Sequence, residues 1–194
     1  MVSSKKIWTW PRVLALIVIT AAGSGLHFVW NAVGMYGWAQ IIAPFVPVNE
    51  SYWEHMKLAL WPLLIWYLIE IRTIKKEGGG YKEWFAGAGA GLWMAFVAMI
   101  ASYTAMKGIF GNLPNTELPI AILSFAFTVF TGIRYFLKAA RSDRARRLWW
   151  LGLIGLAAMV GAAFLFTWWQ PRLELFRSSD GDYYGQNPQI VRQR

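Results

Sequence analysis

The sequence predicts an all-α, polytopic integral membrane protein: a bundle of five transmembrane helices with its N-terminus inside and its C-terminus outside. Three observations carry that prediction. Of the 194 residues, 57% are hydrophobic and only 15% charged, against roughly 45–50% and about 25% in soluble domains. Five apolar stretches each reach about 20 residues, the length that crosses a hydrocarbon core about 30 Å thick. Basic residues gather in alternate connections between those stretches, the pattern of the positive-inside rule.

The first span covers about 12–35 and follows Lys5, Lys6, Trp8 and Trp10. A basic start before an apolar run also describes a signal peptide, with Ala21-Ala22-Gly23 as a cleavage site. Leu26, Phe28, Val29 and Trp30 carry the apolar pattern beyond a signal core, so the segment reads as an uncleaved anchor. A hydrophobic connector, 36–49, contains Gly37, Pro44 and Pro47 but no Lys or Arg, which suits the membrane interface. The second span, about 50–71, starts after Asn49 as N-cap and has Glu50 where a carboxylate complements the helix dipole. Pro62 is expected to kink it.

Gly78-Gly79-Gly80 separates this span from the third, about 83–110; the fourth covers about 116–138 and the fifth 148–169. Residues 170–194 form an extracytoplasmic tail. Its start alternates charged residues with Leu173, Leu175 and Phe176, and Tyr183-Tyr184 follow, so the segment is expected to fold back as a lid against the 36–48 connector. The alternative is a tail resting on lipid headgroups through Arg172 and Arg177.

Orientation follows from charge. Lys5, Lys6, Arg12, Arg72, Lys75, Lys76, Lys82, Arg134, Lys138, Arg141, Arg144, Arg146 and Arg147 fall on one side, which places that side in the cytoplasm of a plasma membrane. The net charge of +9 therefore reports topology rather than a nucleic-acid surface. Many of the 13 Trp residues lie near span ends, as interfacial belts do. With no Cys, disulfides, thiolate metal sites and cysteine nucleophiles are excluded. Glu70 and Arg134, near the cytoplasmic ends, read as structural, pairing with each other or reaching the interface. Gly87-x3-Gly91 and Ala157-x3-Gly161 are small-residue faces that fit packing within the bundle, or alternatively a homo-oligomer.

The most informative segment is Pro47-Val48-Asn49-Glu50-Ser51-Tyr52-Trp53-Glu54-His55-Met56-Lys57, because ionisable groups in a membrane face protein or water. At about 100° per residue, Lys57, Glu50, Glu54, Ser51 and His55 share an arc of roughly 160°. His27 lies roughly 12 Å below the outer end of the first span, and Glu54, His55 and Lys57 lie about 6–11 Å below it on the next helix, at about 1.5 Å per residue. Ser24 and Asn31 share the His27 face. These positions place a polar cavity in the outer half, lined by the first two spans.

The pattern Asn49-Glu50-Ser51-x-Trp53-Glu54-His55-x-Lys57, with the earlier His27-Phe28, resembles a family of uncharacterised small bacterial membrane proteins known only as a domain of unknown function. Pro62, Glu70, Pro171, Leu175-Phe176 and Tyr184-Gly185 extend the resemblance over most of the chain. It implies a bacterial membrane location and no assigned activity.

Three chemistries compete for the same residues. His27, Glu54 and His55 could bind a divalent transition metal, Zn, Fe or Mn, with Glu50 as a further ligand or base, and with Ser24, Asn31 and Ser51 hydrogen-bonding the histidines. A structural network would instead have Lys57 neutralise Glu50 or Glu54 while His27 bonds a carboxylate. A metal-free site would use His55 and Glu54 as base and acid, with Glu50 and Lys57 in support and Asn49, Ser51 and Trp53 near the substrate. The leading functional reading is binding or processing of a small amphipathic or lipid-linked substrate. The alternatives are an ion- or proton-coupled carrier or channel subunit, and a membrane assembly partner. The sequence has no His-Glu-x-x-His, no Gly-x-Ser-x-Gly and no phosphate-binding loop.

Overall fold

The computed structural model describes residues 9–110, 117–179, 181 and 183–186, and every regular element among them is helical. Lys5, Lys6, Asp180, Asp182 and 187–194, on which parts of the topology and tail readings rest, lie outside the described residues. The α-helices are α1 (Trp10–Leu26), α2 (Val29–Val33), α3 (Tyr52–Lys76), α4 (Tyr81–Phe110), α5 (Glu117–Ala139), α6 (Asp143–Arg147) and α7 (Trp149–Trp168). Four stretches are long and apolar enough to cross a membrane: Trp10–Val33, Tyr81–Phe110, Pro119–Ala139 and Trp149–Trp168. At 25 residues α3 has the length, but Glu54, Lys57 and Glu70 interrupt its apolar character.

The stretch expected as one span over 12–35 is divided at His27 and Phe28, which fall between α1 and α2. The local sequence explains the break. Gly23 and Gly25 are poor helix formers, and the hydroxyls of Thr20 and Ser24 donate back to the carbonyls of Leu16 (2.8 Å) and Thr20 (2.9 Å), a pattern that bends helices. Pro62, by contrast, leaves α3 continuous. The Leu58 carbonyl that a residue-62 N–H would otherwise bond lies against Gly23 of α1, where a β-carbon would collide with it. Gly23 and Pro62 together let these two backbones approach closely.

Helix α4 packs most extensively, against α5, α7 and α3, while α1 lies against α3 and α5. Glycine makes the α4 contacts close: a β-carbon on Gly87 would meet Phe136 and Ala140, one on Gly89 the Gly152 backbone, and one on Gly91 the Tyr67 hydroxyl and the Gly132 carbonyl. The Gly87/Gly91 face is thus occupied within the bundle, whereas none of the described residues lies within 4 Å of the corresponding position at Gly161. Tyr67 stacks on Phe136 with centroids 4.2 Å apart.

The two ends of α3 differ. At its C-terminal half, Glu70 forms a bidentate pair with Arg12, at 3.0 Å from both Nε and Nη2. The expected Glu70–Arg134 pairing is therefore replaced: Arg12 enters at the start of α1, and its planar fork matches the carboxylate. The adjoining loops are tied by Arg141–Glu77 at 2.9 Å and Arg146–Glu83 at 2.8 Å. At the N-terminal end, the connector forms a 3-10 turn, Gly37–Ile41, and a small apolar cluster of Trp30, Ala39, Ala43, Val46 and Val48. The polar motif sits beneath it.

Candidate functional site

The site begins with the cap of α3. Ser51 is in extended conformation and its hydroxyl accepts from the Glu54 N–H at 3.2 Å, which satisfies one of the orphan donors of the first turn. Asn49 braces the cap: its Oδ1 accepts from the Ser51 N–H at 2.9 Å. The N-cap is thus Ser51, two residues beyond the expected Asn49, and Glu50 precedes the helix rather than occupying its first turn. The physical consequence is a change of direction: Glu50 leaves the helical arc and is free to meet His27.

The ionisable residues divide into two groups. The first is sealed. Lys57 Nζ donates to Glu54 Oε2 at 2.7 Å, Thr167 Oγ1 at 2.7 Å and the Ala43 carbonyl at 3.1 Å, which uses all three ammonium donors. Glu54 also accepts from the Val48 N–H at 2.9 Å and from Gln170 Nε2 at 2.9 Å. Both side chains are essentially inaccessible, at 1% and 0% exposure. Four segments, the connector, α3, α7 and the start of the tail, therefore converge on one buried ion pair. Buried charge requires such saturation, because an unpartnered ion in low dielectric costs several kcal/mol, on the order of the whole stability of a domain.

The second group is half-exposed. Glu50 lies between two imidazoles, with Oε1 3.6 Å from His27 Nε2 and Oε2 3.3 Å from His55 Nε2. The two rings are 5.2 Å apart between centroids. His55 Nδ1 is 2.8 Å from the Ser51 carbonyl; a carbonyl only accepts, so this nitrogen carries the proton, and Nε2 is directed at the carboxylate. A proton on Nε2 would make this contact a charge-assisted hydrogen bond to the carboxylate.

The tail is built into this end of the molecule. Asn49 Nδ2 donates to the Gly185 carbonyl at 2.6 Å and to Gln170 Oε1 at 3.1 Å, while the Gly185 N–H donates to Gln170 Oε1 at 2.8 Å. Gly185 has φ +81°, a left-handed conformation that favours glycine. Ser178 Oγ accepts from the Glu50 N–H at 3.0 Å, and Ser179 Oγ donates to the Glu50 carbonyl at 3.1 Å. Phe176 is buried between Trp53 and Phe166, at centroid distances of 5.4 and 5.0 Å, rather than against the connector. The connector is reached instead by a reciprocal pair between Gln186 and Gln40, at 2.7 and 2.9 Å.

Of the residues selected from sequence, His27, Glu50 and His55 come together, and Glu54 and Lys57 form the separate buried pair. Ser51 supplies a carbonyl to His55 and Asn49 anchors the tail. Trp53 is buried among aromatic rings, and its indole N–H has no partner among the described residues. Ser24 bonds within its own helix and Asn31 is exposed. Sequence reasoning missed Ser178 and Ser179 as anchors of Glu50, Arg12 as the partner of Glu70, and the connector carbonyl of Ala43. Backbone contacts between distant segments leave no residue-type signal.

A family model described as a family of unknown function, DUF6512, matches residues 1–186. The chain belongs to that family. No curated protein and no solved structure matches it. Membership in DUF6512 thus leaves the half-exposed group beside the sealed pair as the guide to function.

Proposed function

We propose that this DUF6512 protein is a five-span membrane protein of a bacterial plasma membrane that binds or processes a small amphipathic or lipid-linked substrate at the end of the bundle where α3 begins. His27, Glu50 and His55 are the reactive groups. The observation that supports this reading is the contrast between the two polar sets. Lys57 donates three hydrogen bonds and Glu54 accepts three with both side chains sealed, whereas His27, Glu50 and His55 retain 26–33% side-chain exposure. Groups open to solvent can receive a ligand without breaking protein hydrogen bonds, which the sealed pair cannot do. The apolar residues Met56, Leu60 and Leu63 are fully buried between this site and the Arg12–Glu70 pair, which favours a one-sided site over a conducting path.

In the proposed topology the N-terminus is cytoplasmic and the site faces outward. Cysteine introduced at Lys76 or Arg144 should resist an impermeant thiol reagent in intact cells, while cysteine at Gly185 should react. The reverse pattern would invert the orientation.

Native mass spectrometry of the detergent-purified protein tests the substrate reading. Wild type should retain an amphipathic adduct near one per chain, and His55→Gln should lose it while keeping its helical circular dichroism. Bare wild-type protein, or an adduct equally retained by His55→Gln, would reject the assignment.

A further inference from the structure

We infer that His27, Glu50 and His55 constitute a three-ligand site for a divalent transition metal of the zinc class, with a fourth coordination position open to substrate or water. The inference rests on the reading of this group as the reactive one and names the cofactor it would use.

One donor atom from each of the three residues lies within 4.8 Å of the other two. Ligands about 2.0–2.1 Å from a tetrahedral ion are separated by roughly 3.3 Å. The His55–Glu50 and His27–Glu50 separations, 3.3 and 3.6 Å, already approach that value. These two contacts use different Glu50 oxygens, and the full donor set is held only within 4.8 Å, so gathering the three donors around one ion takes side-chain movements of up to about 1.5 Å, within rotamer freedom. Two imidazoles with one carboxylate form a donor set suited to Zn²⁺ or Fe²⁺.

The surroundings are those of a metal-binding histidine. His55 directs Nδ1 to the Ser51 carbonyl at 2.8 Å, so that in the neutral ring the lone pair lies on Nε2, the arrangement that orients ligating histidines. Glu50 has its main chain held on both sides by the tail serines, so the carboxylate is carried by an anchored segment. His27 caps the C-terminal end of α1, between α1 and α2, with Nε2 3.6 Å from Glu50 Oε1. The three ligands thus come from a helix break, a pre-helical residue and the first turn of α3.

Glu54 is not a ligand in this site although it adjoins His55 in sequence. Its two oxygens already accept three hydrogen bonds, from Val48, Lys57 and Gln170. With three protein ligands and partial exposure, the site resembles catalytic zinc centres, which keep one position open, more than closed four-ligand structural ones.

The test uses the full-length protein in detergent, with Co²⁺ as a spectroscopic probe and elemental analysis of protein purified without chelator. Wild type should bind close to one Co²⁺ per chain with the intense visible absorption of a four-coordinate ion, and Zn²⁺ should displace it. Loss of a ligand should weaken binding beyond the about 10–100-fold that outer-shell changes cost. His27→Gln, Glu50→Gln and His55→Gln should each show that loss, with wild-type helicity verified by circular dichroism, while Glu174→Gln, an exposed tail carboxylate, should bind as wild type does. Three separate ligand variants keep the test decisive if one fails to fold. Absence of stoichiometric Co²⁺ and Zn²⁺ binding in wild type, or undiminished binding in folded His27→Gln and His55→Gln, would overturn the proposal. A wild-type adduct lost in His55→Gln without metal would remove the metal and keep the substrate reading. Metal binding without any adduct would do the opposite.

Discussion

Replacing Lys57 by Met should destabilise the bundle by about 3–5 kcal/mol, the cost of leaving one member of a buried ion pair without its partner. Methionine fills most of the volume of the lysine stem, so cavity formation contributes little. What disappears is the ammonium, which donates to Glu54, Thr167 and the Ala43 carbonyl. Glu54 would retain the Val48 and Gln170 donors but no counter-charge. Against a total stability of about 5–15 kcal/mol, that loss is large, and it exceeds the at most about 1 kcal/mol expected for an exposed pair. Reversible unfolding in mixed micelles, followed by the fluorescence of the 13 Trp residues, provides the measurement. A cycle with Glu54→Gln isolates the pair: the double variant should lose less than the sum of the single losses by about 0.5–3 kcal/mol. A loss under about 1 kcal/mol for Lys57→Met, or strict additivity, would refute the claim that four segments are organised around this ion pair.

Two other substitutions examine how the bundle and tail are held. Gly89→Ala should destabilise by about 1–3 kcal/mol, because its β-carbon meets the Gly152 backbone and α4 must move from α7; Gly161→Ala, with open space at that position, should stay within about 0.5 kcal/mol of wild type in the same unfolding assay. Phe176→Ala should cost about 3–5 kcal/mol of tail docking, seen in hydrogen exchange as lost protection of residues 171–179. Wild-type tail amides that exchange at the rate of free peptide would contradict the packing of Phe176 against Trp53 and Phe166.

The sequence by itself determined the helical membrane-compatible class, because apolar runs of spanning length leave little choice: in lipid, backbone polar groups must be satisfied within the segment. It also located the polar end of the bundle, since Glu50, Glu54, His55 and Lys57 are too costly to bury without a purpose or a partner. Helical periodicity, however, assigned Glu50, Glu54 and His55 to one arc, as though all three lay in regular helix. Only the tertiary structure decided that Ser51 caps α3 and that Glu50 lies before it, which transfers Glu50 to the histidines and leaves Glu54 to Lys57. The physical reason is that a cap is chosen by competing backbone and side-chain hydrogen bonds, here Asn49 with the Ser51 N–H and the tail serines with the Glu50 main chain. The same holds for Arg12 with Glu70, 58 positions apart: charge counting sees a topological signal, and only the crossing of α1 over α3 makes it a partner.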